Sequence, residues 1–144
     1  MTPHQQNLIK ESFGMVAPIA DQAATIFYVR LFELDPSLER LFAHTDMAAQ
    51  RKNLMQTLTV VVKSIDKLDA IVPAVQALGS RHAGYGVTPE MFGTVGQALL
   101  DTLAVGLGDA FTPECREAWV EAYGILSSVM IASMEQETVV AAAA

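Results

Sequence analysis

Helix-start signals recur along the whole chain, and they constrain its fold more than any other feature. Each is a polar residue followed directly by proline, at Thr2-Pro3, Asp35-Pro36, Thr88-Pro89 and Thr112-Pro113. A polar side chain at this position accepts backbone N–H groups of the first turn, and proline fits the first helical position because its missing N–H needs no partner there. The alternation of apolar and polar residues that is typical of strands does not recur between these signals. The sequence therefore predicts an all-α fold.

Apolar residues at helical spacing divide the chain into seven to eight helices of unequal length. The first predicted helix ends before Pro18, the second covers about 20–34, and a short third runs from Pro36 to Phe42. A loop over 43–46 leads into a long helix over about 47–66. Another helix over 68–82 ends at a turn with Gly84 and Gly86, and Thr88 and Thr112 cap the last two. No repeat or linker interrupts them. We expect one domain over residues 1–138 and a frayed tail over 139–144.

The composition is rich in apolar residues and poor in charge. Hydrophobic residues make up 51% of the chain and charged residues 17%, against roughly 25% charged in an ordinary soluble protein. Such a chain has much apolar surface to bury. Helices with wide apolar faces and a buried apolar cofactor would both account for it.

Charge and motifs exclude several classes of partner. The net charge is −7, and the longest basic run is Arg51-Lys52, so a nucleic acid backbone would be repelled. The single Cys115 permits no intrachain disulfide and fits a reducing compartment. The N-terminus lacks a signal-peptide pattern, and no uninterrupted apolar run approaches the ~18 residues of a membrane helix. We expect a cytoplasmic protein without nucleic acid or membrane partners.

His82 is the first candidate functional residue. It follows Ile71, Val75 and Leu78 at helical offsets, just before the glycine-rich turn, so its imidazole should point into the protein. A histidine on an apolar face is often an ordinary core residue. It is also the side chain best suited to bind a metal or iron cofactor.

Three further residues lie on inward-facing positions of the preceding helices: Tyr28, Phe42 and Gln50. Each has an ordinary explanation, since the rings could be core packing and the amide could reach solvent. Together they fit one chemistry, because a hydroxyl and an amide can donate hydrogen bonds to a diatomic ligand held opposite an imidazole. Leu54, one turn after Gln50, would form the apolar wall that keeps water out.

These residues make the chain resemble the globins, and among them the single-domain bacterial haemoglobins related to flavohaemoglobin. The similar segments cover nearly the whole chain and are Leu8 to Phe13, Ile26 to Phe32, Asp35-Pro36, Leu41-Phe42, Gln50 to Leu54, His82 and Ala118 to Gly124. The resemblance implies a globin fold around haem b, that is, iron protoporphyrin IX. It also implies O2, NO, CO or similar small molecules as ligands.

The resemblance assigns a role to each candidate residue. His82 matches the proximal iron ligand and Phe42 the ring that stacks on the macrocycle. Tyr28 and Gln50 match the distal donors, and Leu54 the distal apolar wall.

Three residues near the proximal turn have looser assignments. Val87 matches an apolar contact at the haem edge. Either Arg81 or Tyr85 could contact a propionate, although Arg81 is equally consistent with a solvated surface charge.

Two positions depart from the flavohaemoglobin pattern, in which a tyrosine and a glutamate surround the proximal histidine. This chain has Phe92 at the tyrosine position and Met134 at the glutamate position. Neither side chain supports the imidazole with negative charge. We therefore expect a proximal histidine that donates less electron density to iron.

The leading functional hypothesis is reversible binding of oxygen and other diatomic gases. The alternative is an enzyme, a nitric oxide dioxygenase or a nitrite- or NO-detoxifying globin. That activity would need an external reductase, because the sequence contains no flavin motif or dinucleotide-binding glycine loop. A third hypothesis is a helical adaptor or sensor protein, and an adaptor without cofactor would show no haem absorption.

Overall fold

The structure, a computed structural model, describes the backbone of residues 1–143 and the side chains of residues 1–136. Within these residues the α-helices are α1 (Pro3–Val16), α2 (Ala20–Leu34), α3 (Met47–Lys63), α4 (Val72–Gly84), α5 (Met91–Leu107) and α6 (Pro113–Ala143). The all-α prediction is confirmed. The predicted frayed tail over 139–144 lies outside the residues whose side chains are described, and it stays a prediction.

Four short 3₁₀ segments join the helices, and they account for the lower helix count. They are Ala17–Ile19, Pro36–Phe42, Ile65–Ile71 and Gly108–Ala110. The short third helix is thus a 3₁₀ segment, and only six elements are α-helices instead of seven to eight. Short 3₁₀ turns are common connectors between α-helices.

The boundaries predicted for the fourth and fifth helices were wrong. α3 ends at Lys63 instead of near Asp66, and α4 begins at Val72 instead of Leu68. Lys67 has non-helical φ and ψ angles of −147° and 52°, which interrupt the intervening segment. Pro73 then occupies the first turn of α4, where a residue without an N–H is tolerated.

Three of the four predicted caps are present. The Thr2 hydroxyl accepts the N–H of Gln5 at 3.1 Å while the Gln5 amide oxygen accepts the N–H of Thr2 at 2.9 Å. Asp35 accepts the N–H of Ser37 at 3.1 Å. The hydroxyl of Thr112 accepts the N–H of Cys115 at 3.2 Å.

The fourth predicted cap, at Thr88, was wrong. Residue Glu90 precedes α5 and makes no capping hydrogen bond through its side chain. The chain enters the helix through a tight turn, in which Met91 N–H donates to the Thr88 carbonyl at 3.1 Å and Phe92 N–H to the Pro89 carbonyl at 3.2 Å. The first amides of α5 are therefore held by backbone carbonyls of the preceding turn instead of by a side chain.

The largest core cluster lies where α1, α5 and α6 meet. It contains Ile9, Phe13, Leu103 and Trp119, all nearly inaccessible to solvent. The Trp119 indole donates to the hydroxyl of Ser12 at 2.9 Å, so the largest ring of the core has its polar atom satisfied.

Two smaller clusters flank α5 and position the candidate site. The α2 cluster consists of Phe27, Tyr28, Leu31, Leu38 and Ala98. The α4 cluster consists of Val75, Phe92, Met130 and Met134. Since α5 contributes Ala98 to the α2 cluster and Phe92 to the α4 cluster, both clusters pack against this helix.

One described segment, Met91–Ala110, is long and apolar enough to cross a membrane by length and composition. It coincides with α5 and the 3₁₀ segment that follows. Of its most apolar window 33% is buried, including Phe92, Ala98 and Leu103, so packing against other helices accounts for part of its hydropathy.

Candidate functional site

His82 lies in the last turn of α4 and is held by a single hydrogen bond. Its Nδ1 is 2.7 Å from the carbonyl oxygen of Leu78, one turn earlier. A carbonyl can only accept, so Nδ1 carries the proton and Nε2 keeps its lone pair. This is the arrangement in which a histidine can bind a metal through Nε2.

The surroundings of the His82 ring are mostly apolar. Its centroid lies 6.4 Å from the ring of Phe92 and 5.9 Å from the ring of Tyr85. Burial lowers the pKa of the imidazole below its usual value, the Leu78 bond opposes this, and the charge of Arg81 lowers the pKa further. The neutral, ligand form of His82 is therefore favoured at neutral pH.

Tyr28 and Gln50 form a polar pair between α2 and α3. The Gln50 amide nitrogen donates to the Tyr28 hydroxyl oxygen at 3.1 Å. Burial raises the pKa of Tyr28, and the bond from Gln50 opposes that shift. The phenol thus stays protonated, and because its oxygen already accepts from Gln50, its own proton is free to be donated elsewhere.

Aromatic rings surround the Tyr28 side chain and fix its position. Phe27 and Phe42 meet it edge-on, with centroids 5.0 and 5.6 Å away, and Phe32 lies 6.1 Å away. Edge-to-face contacts of this kind stabilise a defined ring orientation. The hydroxyl is therefore aimed by packing as well as by its partner amide.

The two sides of the site meet at α5 and at the turn after α4. The α5 residues Met91 and Val95 pack against the α2 cluster, while Phe92 faces His82. Gly86 has a φ of +87°, and a Cβ there would lie 3.6 Å from Leu41 in the 3₁₀ segment that carries Phe42. The glycine lets the turn adopt this left-handed conformation beside Leu41.

The apolar candidates are only partly covered by protein. Phe42, Leu54 and Val87 are all half-buried, although they pack against the two clusters that flank α5. Together with a neutral imidazole whose Nε2 is free, they provide the donor set and the apolar walls that a flat apolar cofactor requires. The residues present fit haem.

The remaining predicted contacts lie at the rim. Tyr85 is 62% exposed, and Arg81 is exposed as well. Either side chain is accessible to an acidic group at the edge of the site. His44, in the loop after Phe42, is exposed.

Sequence analysis missed two groups that shape the site. The Leu78 carbonyl fixes the His82 ring, and its position four residues before the histidine could have suggested this bond. The Tyr123 hydroxyl donates to the Phe92 carbonyl at 2.6 Å. That contact joins two helices across 31 residues, and no local sequence signal indicates it.

A small apolar cavity of about 20 Å³ adjoins Leu54, between Phe27 and Leu99. Thr102 also lines it, but the Thr102 hydroxyl donates to the Ala98 carbonyl at 2.7 Å. A space without free hydrogen-bonding groups suits an apolar molecule better than water.

Comparison with known proteins gives a consistent result. The family model described as Globin matches residues 25–130. The chain is 35% identical over 126 residues to a flavohemoprotein of Rhodopirellula baltica, covering 86% of this chain and 31% of that protein. It is 32% identical to the flavohemoprotein of Vibrio cholerae, covering 91% of this chain and 34% of that protein. The chain thus spans about a third of the length of these relatives.

A solved structure has the same architecture. It is an engineered carbene transferase from Rhodothermus marinus, described as a proposed nitric oxide dioxygenase. It superposes with a TM-score of 0.87 at 26% identity and covers 99% of each chain.

Proposed function

Because this chain belongs to the globin family, we propose that it binds haem b through His82 and reversibly binds oxygen and other diatomic gases. The supporting observation is that two clusters pack along α5, one with Tyr28 and one with Phe92 beside His82; we assign them to two opposed walls of a haem pocket. The proximal wall consists of His82, Val87 and Phe92. The distal wall consists of Tyr28, Phe42, Gln50 and Leu54.

The proximal wall presents one nitrogen to the cofactor. With Nδ1–H bonded to Leu78, the free lone pair of His82 lies on Nε2. Haem bound there supplies the iron at which a diatomic gas is taken up. Val87 would pack against the haem edge, and Arg81 or Tyr85 would contact a propionate.

The distal wall selects and retains the gas. Tyr28 donates its hydroxyl proton to the ligand, while Gln50 holds the phenol oxygen from the other side. A hydrogen bond to a partly charged ligand is worth about 1.5–3 kcal/mol, so release should be slow. Leu54 and Phe42 exclude water, which would otherwise promote oxidation of the site.

An absorption spectrum of the purified full chain supplied with haem tests this proposal. We expect distinct ferric, ferrous and oxygen-bound spectra, with the oxygen-bound form reverting to ferrous when oxygen is removed. Failure to take up haem would overturn the proposal and favour the cofactor-free adaptor. Rapid oxidation in place of reversible binding would leave haem binding intact but remove the storage or transport role.

A nitric oxide dioxygenase or related NO-detoxifying activity is the second candidate. It is favoured by the names of the flavohemoprotein relatives and of the Rhodothermus marinus structure, and the same Tyr28–Gln50 pair would hold oxygen for the reaction. An external reductase would have to return the iron to the ferrous state.

Steady-state consumption of NO separates the two roles. The full chain is assayed in air with NADH and a separately supplied flavin reductase, against the same mixture without the chain. Sustained nitrate formation over many turnovers supports the enzyme. A single turnover followed by accumulation of ferric protein supports gas binding alone.

The proposed location for either role is the cytoplasm.

A further inference from the structure

The first turn of α5 carries Phe92 against His82 but lacks a cap of its own. Glu90 makes no capping hydrogen bond through its side chain, and Thr88 donates its N–H to the Met91 sulfur at 3.5 Å instead of accepting with its hydroxyl. An uncapped helix start is prone to fray. Phe92, whose ring lies beside that of His82, is thus carried by a helix start that backbone carbonyls of the preceding turn hold without a side-chain cap, so a contact from another helix can add to its support.

Tyr123 of α6 provides that support. Its hydroxyl donates to the carbonyl of Phe92 at 2.6 Å. Burial raises the pKa of Tyr123, so the phenol keeps the proton that it donates. This bond ties the first turn of α5 to α6.

Gly96 makes room for the Tyr123 ring. A Cβ at this position would lie 2.7 Å from Cε2 of Tyr123 and 3.1 Å from Cδ2. Any side chain larger than hydrogen would push the ring away. The Tyr123 hydroxyl can reach the Phe92 carbonyl because Gly96, on the next turn of α5, has no side chain in the way.

Helix α6 also fixes the position of α4. A Cβ on Gly79 would lie 2.6 Å from the Met130 carbonyl oxygen, so α4 and α6 cross in close contact. Ser133 of α6 bonds to the Ser80 hydroxyl at 2.9 Å and donates to the Gln76 carbonyl at 2.7 Å. Contacts with α6 thus fix the positions of both His82 on α4 and Phe92 on α5.

We infer that Tyr123 is a positioning residue of the proximal wall. By holding the uncapped start of α5 on α6, it sets the place of the Phe92 ring and, through that ring, the orientation of the His82 imidazole. It supports the imidazole by geometry and not by charge. The role assigned to the imidazole rests on the proposed haem binding.

The test compares Tyr123→Phe and Gly96→Ala with the original chain and with Ser127→Ala. The last is the matched control, because Ser127 is half-buried on α6 one turn from Tyr123, and the bond described for its hydroxyl stays within its own helix. Tyr123→Phe removes only the hydroxyl and keeps the ring. Gly96→Ala displaces the ring and raises the helix propensity of α5, so a change in the same direction cannot come from a weaker helix.

Three measurements are made on the full chain. In the haem-free protein we expect the His82 ring resonances to shift in both variants, and the Gly96 and Gln97 amides of Tyr123→Phe to exchange about fivefold faster, as a loss of about 1 kcal/mol predicts. In the ferrous haem protein we expect the iron–histidine stretching band to move or broaden in both variants. Ser127→Ala should match the original chain in every measurement.

The outcomes separate this inference from the proposed function. An iron–histidine band in the original chain that is unchanged in Tyr123→Phe would overturn the positioning role while haem binding stands. If the original chain binds no haem, the proposed function fails, and the His82 resonances of the haem-free variants decide the role of Tyr123. Unchanged resonances would then refute it.

Discussion

The distal and proximal walls both pack against α5, but they differ in the polarity of their side chains. On the distal wall a buried phenol and an amide bond to each other within a cage of aromatic rings. On the proximal wall the bond described for the His82 ring goes to a backbone carbonyl of its own helix, and the ring of Phe92 lies beside it. The hydrogen-bonding side chains are concentrated on one side.

This difference assigns separate roles to the two walls: the distal wall retains the gas, and the proximal wall tunes the proposed iron ligand. In the proposed haem site, donors on the distal wall would stabilise a bound gas and slow its release. A proximal imidazole without an anionic partner donates less electron density to iron, which disfavours cleavage of the O–O bond. The combination suits a protein that holds a gas more than one that breaks it down.

The largest effect is expected on the proximal wall, from His82→Ala. This change removes the imidazole that we propose as the iron ligand. Since changes beyond the ligands alone cost 10–100-fold in metal affinity, haem affinity should fall by more than about 100-fold in an apomyoglobin-type transfer assay. His44→Ala is the control and should bind haem normally, because His44 is exposed. Equal haem affinity in His82→Ala would mean that another residue is the ligand.

The next effect is expected on the distal wall, from Tyr28→Phe. Loss of a hydrogen bond to a partly charged ligand, about 1.5–3 kcal/mol, should speed oxygen dissociation by about 10- to 100-fold in stopped-flow measurements. Ser128→Ala, which removes an exposed hydroxyl whose described bond lies within α6, is the control, and its dissociation rate should stay near the original. If both variants release oxygen at the original rate, Tyr28 does not touch the ligand.

A smaller effect is expected from Gln50→Leu, because Gln50 bonds to the Tyr28 oxygen and acts partly through it. A neutral hydrogen bond is worth about 1 kcal/mol, so oxygen dissociation should be about fivefold faster. In the double variant Tyr28→Phe/Gln50→Leu the effects should be less than additive. Strict additivity would show that the two side chains act independently on the ligand.

The smallest effect is expected from Phe92→Tyr, which makes the proximal wall more like the distal one. It adds a hydroxyl to a ring whose centroid lies 6.4 Å from His82. The iron–histidine band should rise modestly in frequency, with oxygen dissociation changed less than twofold, about 0.4 kcal/mol. A large change in dissociation would mean that the proximal wall also controls gas release.

The fold could be predicted because its signals are local. Thr2, Asp35 and Thr112 cap helices through contacts within three residues, and such contacts are visible in the sequence. Thr88 carries the same signal but does not cap α5, because backbone carbonyls of the preceding turn accept the first amides instead. The 3₁₀ segment before α4 was missed because 3₁₀ and α turns share similar apolar spacing.

The site could be predicted in part. Helical spacing indicated that Tyr28 points inward, and it lies buried beside Gln50 and Phe42. The roles of these side chains toward haem stay predictions. The bond between Tyr123 and Phe92 could not be foreseen, because it depends on how α5 and α6 cross and on the bare surface at Gly96.

The central claim is that a neutral His82, supported by packing and a backbone carbonyl, binds haem opposite the Tyr28–Gln50 pair. The most direct test is the iron–histidine stretching frequency of the ferrous protein at neutral pH, measured beside the flavohemoprotein of Rhodopirellula baltica under the same conditions. We expect a histidine band at a clearly lower frequency in this chain. The absence of such a band, or a frequency as high as in the flavohemoprotein, would contradict the account.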